Sequence, residues 1–291
     1  MTPPPSPFRA RLKALLQRCG LGQRVATADI LQACTLGLPN VPETSSDSIC
    51  WQQPLPLYRL HALTRGSLSG PVQDDKNLAL SALAPLVSTQ VTRFAQFDLR
   101  QIDGFAQMLG SALPFSSFED FSASEYCKHI RIISYKDFEK ALDTALPKFR
   151  TAQPIALLQA NWRGDRFFWA GEEHAIELAC ALAYARRREL QITLPATVTR
   201  YQLNPEAVCK FAQHYHALGI ANTAWSNPEF ISLLIDSHVP YSRLQTNNAA
   251  LTPDLLLLPR QNKASEALGH SLLKAGATDI LAYLQTLQCQ D

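Results

Sequence analysis

The stretch that decides the fold runs from Pro154 to Val198: PIALLQANWRGDRFFWAGEEHAIELACALAYARRRELQITLPATV. It opens with two apolar runs that flank Arg163, Gly164 and Asp165. Short apolar runs on either side of a glycine-containing turn predict a β-hairpin. We therefore interpret the Arg-Gly-Asp triplet as turn chemistry and not as an adhesion motif.

A helix and a further strand are predicted after the hairpin. Beyond Gly171, apolar residues recur at helical spacing, namely Ile176, Ala179, Cys180, Ala183 and Tyr184. Arg186, Arg187 and Arg188 follow in the last turns, where cations complement the helix dipole. The run ITLPATVTRYQL (192–203) is rich in β-branched residues and predicts the next strand.

The residues before the hairpin predict a strand and a capped helix. HIRIIS (129–134) alternates in polarity, which is typical of a strand. Ser134 and Asp137 have the spacing of a capping box, so a helix is expected over 135–146. Its inward face should carry Phe138, Ala141, Leu142 and Ala145.

The C-terminal sequence continues the mixture of helices and strands. Asn204–Pro205 and Asn227–Pro228 each supply an N-cap residue followed by proline, and the first of these helices is expected to stop at Gly219. DLLLLPR (254–260) predicts a buried strand, and two helices close the chain. We expect an α/β or α+β fold, with a mixed sheet flanked by helices and a helix-rich C-terminal part.

Three parts are predicted along the chain. Residues 1–120 form an N-terminal region that is irregular with some helices, including one over Phe8–Leu16. Residues 121–203 form a central α/β core, and residues 204–291 form a helix-rich part packed on that core. Between residues 78 and 109 the pattern leaves helix and strand both open.

Composition excludes several classes of protein. The 291 residues carry a formal net charge of +2, too small for a general nucleic-acid binder. Only 18% of residues are charged, which favours burial against a protein partner or in a homo-oligomer. Seven cysteines without a CxxC pair indicate neither a disulfide framework nor a zinc ribbon, so a reducing cytoplasm, in a bacterium, is expected. No apolar run predicts a membrane span.

The strand-to-helix junction contains the candidate ligand-binding residues, which are Gly171, Glu172, Glu173 and His174. The simpler explanation is structural, because the first turn of a helix favours acidic side chains. The functional interpretation uses the same geometry. A glycine lets a ligand approach the backbone, unpaired N–H groups suit a phosphate, and His174 could donate to it.

Residues 154–198 resemble the core of the ParB/sulfiredoxin-like superfamily. The similarity rests on the Pro-Ile strand, the hairpin, the glycine followed by acidic and basic residues at a helix start, and the strand beginning near Pro195. Gly171, Glu172 and His174 match the glycine, glutamate and final basic residue of the family's box. The resemblance implies nucleotide binding or hydrolysis at this turn. Cys180 lies inside the helix and not at the box, so reductase chemistry is not implied.

Other candidates predict no chemistry. His214 and His216 are two residues apart, so on a helix they would face different directions and could not share a metal ion. Cys127 and His129 would share a face of a strand without a third catalytic group. Neither a G-x-S-x-G nor a P-loop motif occurs. The sequence therefore predicts no catalytic residues and no metal site, and it leaves the cofactor unknown.

Two hypotheses follow from the sequence. The first is a non-enzymatic protein that acts through a protein partner or through self-association. The second is a nucleotide-binding or nucleotide-hydrolysing protein that uses the Gly171–His174 turn, with phosphate contacts from Arg186, Arg187 and Arg188.

Overall fold

The computed structural model of this protein describes residues 47–51, 55–106, 114–147, 151, 153–171, 173–236, 239–245 and 253–288. The helix expected over Phe8–Leu16 and the candidate ligand-binding residue Glu172 lie outside these ranges. The chain divides into two compact units that alternate along the sequence. We call them the flanking unit, mainly Ala62–Pro85 and Pro205–Thr286, and the central unit, mainly residues 47–61 and Leu86–Asn204. The division into 1–120, 121–203 and 204–291 stays a prediction.

Strands and helices are numbered in chain order. The strands within the described ranges are β1 (Leu68–Ser69), β2 (Val87–Asp98), β3 (Ile102–Phe105), β4 (Ile155–Ala160), β5 (Phe167–Trp169), β6 (Thr193–Leu203), β7 (Tyr215–Ile220), β8 (Ser242–Leu244), β9 (Asp254–Pro259) and β10 (Thr278–Asp279). The α-helices within the same ranges are α1 (Gln73–Leu83), α2 (Phe118–Ser122), α3 (Tyr135–Ala145), α4 (Ala175–Arg187), α5 (Pro205–His214), α6 (Pro228–Asp236), α7 (Lys263–Lys274) and α8 (Ile280–Gln288).

The central unit is built on a mixed sheet with the strand order β2-β6-β4-β5-β3. Strands β4 and β5 pair antiparallel, with Leu157 opposite Trp169, so the predicted hairpin is confirmed. Strand β6 runs parallel to β4 and antiparallel to β2. The run left open between residues 78 and 109 contains the end of α1, the long strand β2 and then β3.

Helices α3 and α4 pack in the core of the central unit, and α3 does so with the face that the sequence predicted. The capping box of α3 is confirmed, since the Asp137 N–H donates to Ser134 Oγ at 3.2 Å and the Ser134 N–H donates to Asp137 Oδ2 at 3.0 Å. The predicted inward residues of α3 are all buried. On α4, Leu178 and Leu182 are fully buried, each contributing about 2 kcal/mol through removal of apolar surface from water.

The flanking unit is built on a separate sheet with the order β1-β8-β9-β7-β10, in which every pair is antiparallel. Residues 254–258 of β9 are all buried, so the predicted buried strand is confirmed. A strand with successive residues buried is covered on both of its faces. Strand β9 is also the central strand of this sheet, between β8 and β7.

The helices of the flanking unit begin where the sequence predicted but one of them ends early. Helix α5 begins at Pro205 and α6 at Pro228, and α7 and α8 close the chain. Helix α5 stops at His214 and not at Gly219, because Tyr215–Ile220 pairs with β9 along its whole length. None of the helices within the described ranges has the length and apolar character needed to cross a bilayer.

The two sheets with their helices form an α+β fold, as the sequence predicted. The strand predicted at residues 129–134 is wrong, since this segment is an irregular lead into α3. Its alternating pattern is nevertheless real. Ile130 and Ile132 are partly buried against the core of the central unit, while His129 and Arg131 are exposed. Alternate burial thus occurs here without pairing to another strand.

Candidate functional site

The junction between β5 and α4 carries the sequence-predicted ligand residues. Gly171 is required there, because a Cβ atom would lie 1.9 Å from Cζ2 of Trp169. His174 adopts the left-handed conformation, with φ 61° and ψ 30°, which is uncommon for a residue other than glycine. Its Nδ1 lies 3.3 Å from Glu177 Oε1. Glu173 and His174 are both exposed, and nucleotide binding at this turn stays a prediction.

The predicted phosphate-binding arginines lie at the other end of α4. Arg186 lies twelve positions after His174, which corresponds to about 18 Å along the helix axis. Arg186 donates to the carbonyl oxygens of Arg100 and Ile102 at 2.9 and 2.7 Å, and Arg187 and Arg188 are exposed. The structure therefore does not bring these arginines to the turn.

The cysteine that the sequence placed beside His129 is buried and faces another thiol. Cys127 hydrogen-bonds Cys180, and burial raises the pKa of both thiols. A thiol needs its thiolate form to act as a nucleophile, so burial makes these two unreactive. His129 is exposed and belongs to no strand.

A cavity of about 300 Å³ opens in the central unit beside Trp169. Its lining is mostly apolar and includes Leu146, Pro147, Pro154, Ile155 and Leu194, with Gln153 as its polar side chain. Among the described residues that line it, none is titratable. These residues therefore offer space for an apolar group.

The outer edge of the central sheet is a long exposed strand. Strand β2 is the last strand in the described sheet, and every residue of Ser88–Gln96 is exposed. Val91 is 59% exposed and Phe94 is 38% exposed, while Arg93 is the single charged residue of this run. A long edge strand with few charges is a template for pairing with another strand.

A second polar site lies in the flanking unit, where a strand and a helix bring two histidines and a glutamate together. His216 is in β7 and is 2% exposed, while Glu266 and His270 are on α7. His216 Nε2 hydrogen-bonds Glu266 Oε2 at 2.8 Å, and His270 Nε2 hydrogen-bonds Glu266 Oε1 at 3.0 Å. One ligand atom from each residue lies within 4.8 Å of the others. Two imidazoles and a carboxylate could therefore hold a metal ion.

Close packing on α7 fixes the His216 ring. A Cβ atom at position 269 would lie 2.4 Å from Cδ2 of His216, so Gly269 allows the ring to rest against the helix. Helix α7 is in turn held by Asn262, whose Oδ1 accepts from the N–H groups of Ala264 and Ser265.

The electrostatics of this cluster keep His216 neutral. Burial, together with the positive charge of Arg260, lowers the pKa of His216. Burial alone would raise the pKa of Glu266, but the hydrogen bond with His216 and the positive charge of Arg260 outweigh it, and that pKa is lowered. Arg260 NH1 lies 3.3 Å from Glu266 Oε1, and its Nε donates to the Tyr215 carbonyl at 3.2 Å. A neutral imidazole beside a carboxylate is the protonation state that binds metal ions.

The sequence contains one local signal for this cluster. Glu266 and His270 are four residues apart, so a helix places them on one face. His216 was missed because the pattern extended α5 to Gly219 and assigned both His214 and His216 to a helix. His214 is the last residue of α5 and is exposed, and its Nδ1 is 2.8 Å from the Lys210 carbonyl oxygen.

Comparison with known proteins gives one match. A family model described as "Family of unknown function (DUF6685)" matches residues 92–291, the larger part of the chain, which includes parts of both compact units. No curated protein and no solved structure matches the chain. The resemblance to the ParB/sulfiredoxin-like superfamily stays a prediction.

Proposed function

This chain belongs to DUF6685, a family of unknown function, and we propose that it acts by self-association. In the proposed dimer, β2 of one copy pairs with β2 of a second. The observation that carries the proposal is the nine-residue exposed run Ser88–Gln96 at the edge of the central sheet. An edge strand presents unpaired backbone N–H and C=O groups, and these pair readily with another strand.

The composition of β2 supports pairing. The exposed run contains the β-branched or aromatic residues Thr89, Val91, Thr92 and Phe94, which favour strands. Natural proteins protect edges of this kind with several charges or with proline, and this run has Arg93 as its one charge and no proline. A register irregularity between Phe94 and Phe97 restricts pairing to the part of the strand before it.

A second copy fits this edge better than an arbitrary strand does. Two identical strands related by a two-fold axis pair antiparallel along equal lengths. When the axis passes through Val91, the midpoint of Ser88–Phe94, Arg93 lies opposite Thr89 of the second copy. The two arginines then do not face each other directly, so repulsion between like charges is reduced.

The bulk properties agree with a non-enzymatic, self-associating protein of the bacterial cytoplasm. The charged fraction of 18% is low, which is expected where surface becomes buried between copies. Cys127, Cys180 and Cys209 are thiols outside any disulfide, as in proteins of a reducing compartment.

The proposal is tested by the mass of the protein in solution. Light scattering after size-exclusion chromatography should give twice the 32.3 kDa of one chain. Replacing Val91 and Phe94 by lysine places two like charges from each copy at the paired edge. The dimer dissociation constant should then rise by at least about 100-fold, since like charges brought together cost several kcal/mol.

The matched control is Ile133→Lys in the same unit, since Ile133 is 68% exposed and lies outside β2. This variant should remain dimeric, and circular dichroism should show that all the variants are folded. A wild-type protein that stays monomeric over a wide range of concentrations would contradict self-association. So would a dimer that survives both lysines.

A further inference from the structure

We propose that His216, Glu266 and His270 form a binding site for a divalent transition-metal ion, with Zn²⁺ as the best fit. The site lies in the flanking unit and is separate from the β2 edge of the central unit. Its ligands come from two elements, the buried strand β7 and the adjacent helix α7.

The donor atoms have suitable chemistry and spacing. Zn²⁺ binds imidazole nitrogen and carboxylate oxygen at about 2.0–2.2 Å in a tetrahedral arrangement, which places neighbouring ligand atoms about 3.3 Å apart. The Nε2 atoms of His216 and His270 are 2.8 and 3.0 Å from the two oxygens of Glu266. Binding would lengthen these two contacts by a few tenths of an ångström and bring the three donor atoms, which lie within 4.8 Å of one another, to about 3.3 Å apart.

The site is organised before any ion binds. His216 is held by burial and by contact with Gly269, so the position of its imidazole is fixed. Glu266 and His270 are four residues apart on one helix face, so a single helix sets their separation. His270 is 50% exposed, which gives an ion a route from solvent and leaves coordination positions open to water.

Arg260 is the group that limits the affinity. Its guanidinium charge opposes a dication, and it shares Glu266 Oε1 with His270. When the ion is bound to Glu266 Oε2, Oε1 can still accept from Arg260. A hydrogen bond to a ligating carboxylate fixes its orientation, as second-sphere partners of metal sites do. We therefore expect a site of moderate affinity in which Arg260 orients the glutamate.

The test is Zn²⁺ titration by calorimetry, using protein made without a histidine tag and stripped by a chelator. Wild-type protein should bind one Zn²⁺ per chain, and Co²⁺ in its place should give visible absorption. His270→Ala should weaken Zn²⁺ binding by more than roughly 10-fold, because loss of a second-sphere partner alone weakens binding by at least that factor. Glu266→Gln, which keeps the side-chain shape, should weaken it similarly.

Two control variants identify binding elsewhere. His214→Ala removes an exposed histidine of the same unit, and Cys209→Ser removes the exposed thiol. Both should bind Zn²⁺ as the wild type does, and Zn²⁺ should raise the melting temperature of the wild type but not of His270→Ala. The proposal is overturned if wild-type protein binds no Zn²⁺ at one equivalent, or if His270→Ala and Glu266→Gln bind it unchanged.

Discussion

The two compact units stabilise buried charged side chains with different kinds of hydrogen-bond partner. In the central unit, Arg163 is 1% exposed and donates to the carbonyl oxygens of Ser48 and Cys50 at 2.7 and 3.0 Å. In the flanking unit, Asp254 is 2% exposed and accepts from Arg243 Nε at 2.8 Å. One buried charge is thus bonded to neutral backbone, and the other to a charge of opposite sign.

The difference determines what each group does for its unit. An arginine bonded to carbonyl oxygens joins distant segments of chain, as Arg166 also does by donating to Ser48, Asp103 and Ser116. These carbonyl oxygens stay neutral at every pH. A charge pair such as Arg243–Asp254 depends on both members, because removing one leaves the other buried with its charge uncompensated.

The largest effect is expected from Asp254→Ala. The substitution leaves Arg243, which is also stacked over Trp225 at 4.2 Å, without its carboxylate. Breaking a buried pair costs about 3–5 kcal/mol. Hydrogen exchange of peptides from β9 should show this loss of stability. Asp165→Ala is the control, because Asp165 is 80% exposed in its pair with Arg200 and should cost at most about 1 kcal/mol. Equal losses would show that burial of the pair does not matter.

A smaller effect is expected from Arg163→Met, which fills similar space without a charge. The carbonyl oxygen of Cys50 loses this donor, while that of Ser48 still accepts from Arg166, and hydrogen bonds from a charged group contribute about 1.5–3 kcal/mol. Removal of a buried charge offsets part of that cost, so we expect a net loss of about 2 kcal/mol in the central unit. Hydrogen exchange of peptides from β4 measures it. A loss larger than that of Asp254→Ala would reverse the proposed contrast.

The smallest effect is expected from mild acid, which should lower the stability of the flanking unit and not that of the central unit. The folded-state pKa of His216 lies below its usual 6.5, so its contribution to stability is present above that pH and is lost as pH falls through the folded value. Glu266, with a pKa lowered from 4.5, adds a loss in the same direction at lower pH. In the central unit, hydrogen bonds from Arg100 lower the pKa of Asp98 from 3.8, so its loss begins only below that.

Between pH 7 and 5, hydrogen exchange corrected for its intrinsic pH dependence should therefore show destabilisation of β7 and not of β6. His216→Gln should remove this dependence of β7 stability on pH. An equal dependence on pH in the two units would show that His216 does not govern the loss of stability.

Local signals in the sequence predicted much of the central unit. The capping box at Ser134 and Asp137 determines where α3 begins, and the apolar runs around Gly164 determine the hairpin. Such features depend on neighbours within a few residues, so they can be inferred from the chain alone. The predicted strand at 129–134 failed because pairing requires a partner strand, which the alternation of Ile130 and Ile132 does not reveal.

The histidine cluster required information that the sequence pattern did not contain. Helix α5 ends at His214 and β7 begins at the next residue, Tyr215, with no turn residue between them. The change occurs there because β7 pairs with β9 from its first residue. Whether His216 is helical or extended is thus decided by a strand about forty residues away. The i,i+4 spacing of Glu266 and His270 could be read locally, and their meeting with His216 could not.

The alternation of the units along the chain also sets an order of folding. Strands β2 to β6 of the central sheet all lie between Val87 and Leu203, so they can pair as soon as that segment leaves the ribosome. Strand β1 must wait for β8, and Ser69 and Arg243, which pair there, are 174 residues apart. Contacts of such long sequence separation form slowly. Synthesis therefore favours completion of the central sheet first, and a chain truncated after Asn204 would keep that sheet while β1 had lost its partner.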